Sequence, residues 1–185
     1  MTDAITSIEA KGVRTSDGTL HECDVLIMAT GFFVTDNPMV TKVHGANGER
    51  LSDAYHGDLA NYKGTTFPDF PNFFMLGGPN TALGHSSIIF MLESQLNYIT
   101  KAVKVALDDD ALIEPKAHIA ARWTRELQAK LPGTVWDTGC SSWYLNDAGR
   151  NTTIWPDFTF KFRSATRHFD PRDHQISTSK KSEVA

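Results

Sequence analysis

The segment of this chain best suited to chemistry is Gly77-Gly78-Pro79-Asn80. It follows a short apolar run at residues 73–76 and precedes a stretch from about Ser86 in which apolar residues recur at helical spacing. Strand, glycine turn and helix together make the arrangement that seats dinucleotide and flavin cofactors. Glycines let backbone approach the ligand, and a helix N-terminus turns N–H groups and a partial positive charge toward its oxygens. Pro79 stiffens such a turn while removing a donor. His85, just ahead of the helix, is a further candidate, weighed against the plainer role of a solvated or capping histidine. Glycine is common in strand-to-helix turns that bind nothing, so the rest of the chain has to supply context.

Two other segments do so. Asp24 leads into the continuously apolar residues 25–29 and then Thr30-Gly31, where small residues allow a sharp turn or a close approach of a second domain. Downstream stand Cys140-Ser-Ser-Trp143-Tyr144 and Gly149-Arg150-Asn151, with Trp155-Pro156 just beyond. The bland reading of these aromatics is packing between domains. Cys140 has no His or Asp beside it and reads as a small buried residue rather than a nucleophile. The chain contains no H-E-x-x-H, C-x-x-C, G-x-S-x-G or G-x-G-x-x-G pattern. Zinc hydrolysis, dithiol redox chemistry and an acyl-enzyme are therefore not indicated, and no glycine-rich phosphate loop is present.

The elements that must position these residues are legible in outline. Residues 4–30 read as a β-meander of short alternating runs with a hairpin turn at Ser16-Asp17-Gly18, closing on a fully buried strand at 25–29. Residues 34–66 are punctuated by Asn, Gly and Pro and read as loop. Residues 73–76 read as a second buried strand, followed by one long helix over 86–107 that stops at Asp108-Asp109-Asp110, where three acids oppose the helix dipole. A second helix is expected over 117–130, ended by Pro132-Gly133. The alternating aromatics of 158–163 suggest a half-exposed strand, with Lys161, Arg163, Arg167 and Arg172 on a solvated face. The last stretch, 175–185, is polar and reads as a disordered tail.

With 185 residues, 41% hydrophobic and 22% charged, the composition is that of an ordinary globular protein. A net charge of −4 argues against a nucleic-acid surface. No apolar run approaches the ~20 residues needed to span a bilayer, and no secretory leader is recognisable, so a cytoplasmic location is expected. The two cysteines, Cys23 and Cys140, lie far apart, as in a reduced protein.

Taken in order, the apolar run ending Ala-Thr-Gly, the Gly-Gly-Pro-Asn turn, and the Ser-Trp-Tyr and Gly-Arg-Asn segments resemble the C-terminal part of the FAD- and NADPH-dependent flavoprotein monooxygenases of Baeyer–Villiger or 4-hydroxyacetophenone type. The resemblance covers about residues 1–170. It implies an α/β fold, namely part of a flavoprotein with two dinucleotide-binding domains. Residues 1–33 would end the NADPH-binding domain, 34–107 would form the returning part of the FAD-binding domain, and 108–174 a C-terminal helix and lid extension before the tail at 175–185. It further implies that Thr30 and Gly31 are hinge residues between the cofactor domains. Gly77, Gly78, Pro79 and Asn80, with His85 near them, would wall the pyrimidine side of FAD. Trp143 would ride a mobile loop over the nicotinamide cofactor, and Arg150 would meet its phosphate or ribose.

The complete enzymes of this family oxygenate ketones or soft heteroatoms through a C4a-peroxyflavin. Their two glycine-rich loops and the arginine that steadies the peroxide precede the Ala-Thr-Gly segment, and none of them is in this sequence. Catalysis by this chain alone is therefore not expected, no catalytic residue is assigned, and the implied partner is a separate N-terminal half. The competing readings are a non-catalytic interaction module, or a truncated product, whose apolar faces await a separate N-terminal half or associate with themselves, and a flavin-dependent disulfide or quinone reductase. The second is disfavoured by Pro79-Asn80 and by the missing cysteine pair.

Overall fold

A computed structural model describes residues 3–29, 38–56, 60–136, 144–146 and 148–178. It divides the chain into two compact units, 1–32 and 33–185.

The first unit is the expected meander. Strands β1 (Ile5–Glu9), β2 (Gly12–Thr15) and β3 (Leu20–Glu22) pair antiparallel in sequence order. The β2–β3 turn is built by Asp17, whose carboxylate accepts from the Thr15 hydroxyl at 2.6 Å and from the Thr19 backbone N–H at 3.0 Å. These bonds hold the Asp17 carboxyl down to about 2. Gly18, at φ 85°, takes the left-handed position that the turn requires. The buried strand expected at 25–29 does not form. Val25, Ile27 and Met28 are 76%, 82% and 65% exposed. A continuously apolar strand is stable only between neighbouring strands, and among the described residues none flanks it. Thr30 and Gly31 lie outside the described residues.

The second unit is held by helices and a two-stranded sheet. Short α1 (Leu51–His56) is followed by α2 (Ile88–Asp108), β4 (Ala111–Pro115), α3 (Ala117–Gln128), α4 (Thr159–Thr166) and β5 (His174–Thr178). The long helix and the one after it fall where periodicity places them. On α2 the residues Met91, Ser94, Gln95, Tyr98 and Ala102 face inward at three- and four-residue spacing. One core cluster joins Met91 to Leu127, Leu131, Trp155 and Phe162, and another joins Val40, Leu51, Phe67 and Phe70. Trp123 packs against the first of these and against a third cluster around Tyr62, Ile119 and Ala120.

Three expectations are corrected. Residues 158–163 are not a strand: they enter α4, which packs on α2. Helical spacing turns only Phe162 and Thr166 inward, and leaves Phe158 and Phe160 stacked on the surface with centroids 5.4 Å apart. The missed signal was Pro156-Asp157. Asp157 accepts the Phe158 backbone N–H at 2.8 Å and pairs with Lys161 at 2.9 Å, so it serves the helix start in both ways an acid can. Residues 73–76 form no ladder either. Met75 N–H reaches only the Thr65 carbonyl, and Leu76 is exposed. Finally, 175–178 are not a tail: they pair antiparallel with β4, Ala111 opposite Thr178 and Pro115 opposite His174. Residues 179–185 lie outside the described part.

Candidate functional site

The glycine turn is a tightly built object. Gly77 and Asn80 adopt left-handed conformations, at φ 65° and 54°. A β-carbon on Gly78 would stand 2.4 Å from the Gly64 carbonyl oxygen, and one on Gly64 would stand 2.6 Å from that of Pro79, so the two backbones touch and only glycine fits. A β-carbon on Gly77, by contrast, would meet nothing nearer than Leu92 at 4.0 Å. That glycine opens outward.

Gln95 of α2 locks this arrangement. Fully buried, it accepts the Gly77 N–H on Oε1 at 3.0 Å, while Nε2 donates to the Gly64 carbonyl at 2.9 Å and to Thr65 Oγ1 at 2.8 Å. Sequence periodicity places Gln95 on the helix's inner face but gives no sign of this role. The signal was a polar residue in an inward position, which must find partners when buried. From the other side Asn72 clips the approach to the turn onto β4, its Nδ2 donating to the Ala111 carbonyl and its Oδ1 accepting the Ile113 N–H at 2.9 Å.

The structure brings the Gly-Gly-Pro-Asn turn and the Gly-Arg-Asn segment together. Asn80 is buried, and its Nδ2 donates to the carbonyls of Asn151 and Ile154, both at 2.9 Å, while its backbone N–H bonds the Thr152 carbonyl. Its amide is therefore spent on tethering the downstream segment. Asn151 Oδ1 in turn accepts the N–H groups of Thr153 and Ile154. Pro79, Asn80 and Arg150 all line one cavity of about 360 Å³, closed on the far side by α3. His85 is exposed and lines a separate cavity of about 220 Å³ with Trp136, Trp155 and Phe158. Trp136 also covers Gly84 so closely that a β-carbon there would meet its ring at 2.0 Å. The α2 N-terminus is open: Ser87 caps it without a side-chain bond, and Ile88 and Ile89 are exposed. Among the described residues its first-turn N–H groups thus have no side-chain capping partner. Trp143 and Cys140 lie outside the described residues.

Behind the turn lies a buried polar network that sequence reading missed. The Tyr62 hydroxyl donates to Asp173 at 2.6 Å, and Tyr98 meets His174 Nε2 at 2.5 Å while His174 Nδ1 faces the Asp170 carbonyl at 2.7 Å. A carbonyl only accepts, so Nδ1 carries the proton and Nε2 takes the tyrosine's. Lys63, left-handed at φ 59°, places Nζ 4.6 Å from the centroids of both tyrosine rings. Burial lowers its pKa to about 8, against the opposing pull of Asp173 and Asp170, and burial likewise lowers that of His174.

These depressed values have a definite sign. Unfolded, His174 takes up a proton near its ordinary value; folded, it does so only at lower pH. The unfolded state then binds more protons, so stability is lost as pH falls below about 6.5. The midpoint of urea unfolding should drop between pH 7 and pH 5, with a slope of at most about 1.4 kcal/mol per pH unit from this one group. His174→Gln should flatten that slope; a variant as acid-sensitive as the parent would place the titration elsewhere.

Among the described residues no cluster of His, Cys, Asp and Glu could hold a metal ion, and no helix is long and apolar enough to cross a membrane. No protein-family model matches the chain. Relatives do. A Baeyer-Villiger monooxygenase of Pseudomonas aeruginosa is 41% identical over 182 residues, and one of Streptomyces coelicolor is 39% identical over 175, covering 97% and 93% of this chain but 34% of each relative. The crystal structure of a cyclohexanone monooxygenase from a Rhodococcus species, bound to NADP+, superimposes with a TM-score of 0.71 at 28% identity, over 96% of this chain and 34% of that one. The chain spans about a third of the length of the proteins it matches.

Proposed function

We propose, from the premise that this chain is a C-terminal fragment of a flavoprotein monooxygenase, that it forms the pyrimidine-side wall of an FAD site and part of the NADPH and substrate lid of a Baeyer–Villiger enzyme. The observation that carries this reading is the pairing of relatives so named, at 39–41% identity across nearly the whole chain, with an outward-facing Gly77 beside the open N-terminus of α2.

The residues fit a flavin. Gly77 leaves its backbone accessible, and the uncapped first turn of α2 offers N–H groups and a partial positive charge to the ring's pyrimidine oxygens. When bound, FAD reduced by NADPH supplies the oxygen activation that inserts an oxygen atom beside a ketone or adds one to a soft heteroatom. This chain's part is to bind and orient. Gln95 fixes the turn, and the α2 terminus favours the negative charge that reduction brings to the pyrimidine edge. Trp143 is the residue we assign to the closing loop over the nicotinamide, with Thr30 and Gly31 as the hinge between cofactor domains. The fragment reaches activity only with the two glycine-rich loops that it lacks.

A hybrid tests this. Joined to the N-terminal two thirds of the Pseudomonas aeruginosa relative, the chain should bind FAD and turn a cyclic ketone into a lactone with consumption of NADPH. In that hybrid Trp143→Ala should raise the KM for NADPH several-fold and release hydrogen peroxide in place of product, with bound FAD unchanged. A folded, FAD-bearing hybrid that reduces disulfides or quinones but oxygenates nothing would refute the assignment.

A further inference from the structure

The loop that lies against Gly78 carries a residue its backbone does not favour. Lys63 and Gly64, at φ 59° and 60°, are successive left-handed residues in the turn from Tyr62 to Thr65, which the Thr65 N–H closes on the Tyr62 carbonyl at 3.1 Å. Asn-Gly is the pair such a turn prefers, because most side chains are strained at positive φ. Lysine therefore gains nothing there from its backbone. Its side chain is also turned inward. Lys63 is 5% exposed, although its flexible stem could have carried the charge into water. A strained backbone and a buried cation at one position need a compensating contact.

That contact is with the segment 168–174, which leads from α4 into β5. Lys63 Nζ donates to the His168 carbonyl at 3.4 Å and stands over the rings of Tyr62 and Tyr98. Among the described residues, the titratable and charged groups around it come from several elements. Its own turn supplies Tyr62, bonded to Asp173, and α2 supplies Tyr98, bonded to His174. The segment itself supplies Asp173, His174 and Asp170, the last paired with Arg172 at 2.7 Å. Lys101 and Lys116 hold its backbone from outside, at the carbonyls of Arg167 and Arg172. Burial pulls the Lys63 ammonium down, Asp173 and Asp170 pull it back, and the balance falls at about 8.

The backbone of the same residue reaches the glycine turn. The Lys63 carbonyl accepts the Thr65 hydroxyl at 2.9 Å, Thr65 Oγ1 accepts Gln95 Nε2 at 2.8 Å, and Gln95 Oε1 accepts the Gly77 N–H at 3.0 Å. Beside this relay the Gly64 carbonyl takes the other Gln95 donation and lies against Gly78. Bonds in series within a close-packed interior leave little slack between their ends. We propose that Lys63 is a positioning residue and a proton-dependent clamp. While charged, its ammonium holds the segment 168–174 to the turn at 62–65 and so sets the pose of Gly77. When the proton leaves, the strained turn relaxes and Gly77 moves with it. The coupling belongs to the chain's own packing and holds whatever ligand the glycine turn faces.

Carbon-13 NMR of the chain, labelled at lysine and glycine and titrated upward from neutral pH, tests this. The Lys63 Cε signal and the Gly64 and Gly77 Cα signals should move together, with one midpoint at about 8. Lys63→Met keeps the stem and loses the charge, so it should abolish the step and hold both glycines at their high-pH positions. Lys63→Asn suits the left-handed backbone and should do the same, and it serves where the methionine variant does not fold. Asp173→Asn should move the midpoint to lower pH, because it removes the larger of the two attractions. His174→Gln should leave it in place, since burial already keeps His174 uncharged in this range. Glycine signals that stay still while Lys63 titrates would overturn the proposal. So would a glycine step that survives in either Lys63 variant, or a Lys63 that titrates at the ordinary lysine value of about 10.4. A Lys63→Asn chain more stable than the parent, with Gly77 at its low-pH position, would reduce Lys63 to a turn residue.

Discussion

Replacing Gln95 by leucine should cost about 3 kcal/mol of stability, a large share of what a domain of this size possesses. Leucine nearly fills the volume but leaves the Gly77 N–H and the Gly64 carbonyl without their partners inside the protein. Burying a donor or acceptor unpaired costs roughly 1–3 kcal/mol each. Gln95→Glu should do no better, since it keeps the acceptor for Gly77, loses both donations and buries a charge. One residue along, Leu96 is 47% exposed, and Leu96→Ala should cost under about 1 kcal/mol. Urea unfolding of the three variants decides the matter. If Gln95→Leu were as mild as Leu96→Ala, the turn would be held by its own backbone. In the complete enzyme the same substitution should also loosen FAD, because the outward pose of Gly77 depends on that bond.

The contrast between these two neighbours shows what the sequence made legible. Periodicity is a property of a segment and its own core, so α2, α3 and the meander could be placed from it. Ladders are a property of pairs. Residues 25–29 have strand composition, but the described residues supply no strand beside them, and the same holds at 73–76. Conversely, 175–178 look too polar for a core, yet they are ordered by β4, whose own strand character sits in five residues after a left-handed Asp110. At the site, the glycine turn was legible because glycine allows conformations and close approaches that other residues do not, while the Gly-Arg-Asn segment stood out only through the family resemblance. Gln95, Lys63 and His174 are ordinary in sequence. Their roles come from what the fold sets against them, over separations such as the 76 residues between Tyr98 and His174.

Purified alone, the chain should be colourless and should not oxidise NADPH when FAD is added. Its contact with a flavin would be the exposed terminus of α2 and the Gly77 backbone. Such a helix-dipole contact contributes roughly 0.3–1 kcal/mol, and about 2 when partly buried. Micromolar binding needs ~8 kcal/mol, which in this family comes largely from a pyrophosphate loop of a kind that this sequence does not contain. The isolated chain should also be adhesive. On α2, Ile89, Leu96 and Val103 recur every seven residues on the side away from the core and are exposed, as are Val25, Ile27 and Met28 in the other unit. A seven-residue apolar repeat is the pattern by which helices find partners. The isolated chain should therefore bind a hydrophobic dye strongly and elute above its monomer mass, and both effects should fall when Leu96 and Val103 are changed to Lys. Adding a polypeptide that carries the two glycine-rich loops should suppress dye binding and bring yellow colour into the complex together. A monomeric, yellow preparation of this chain alone, holding one flavin and consuming NADPH, would show instead that the wall by itself is a complete site.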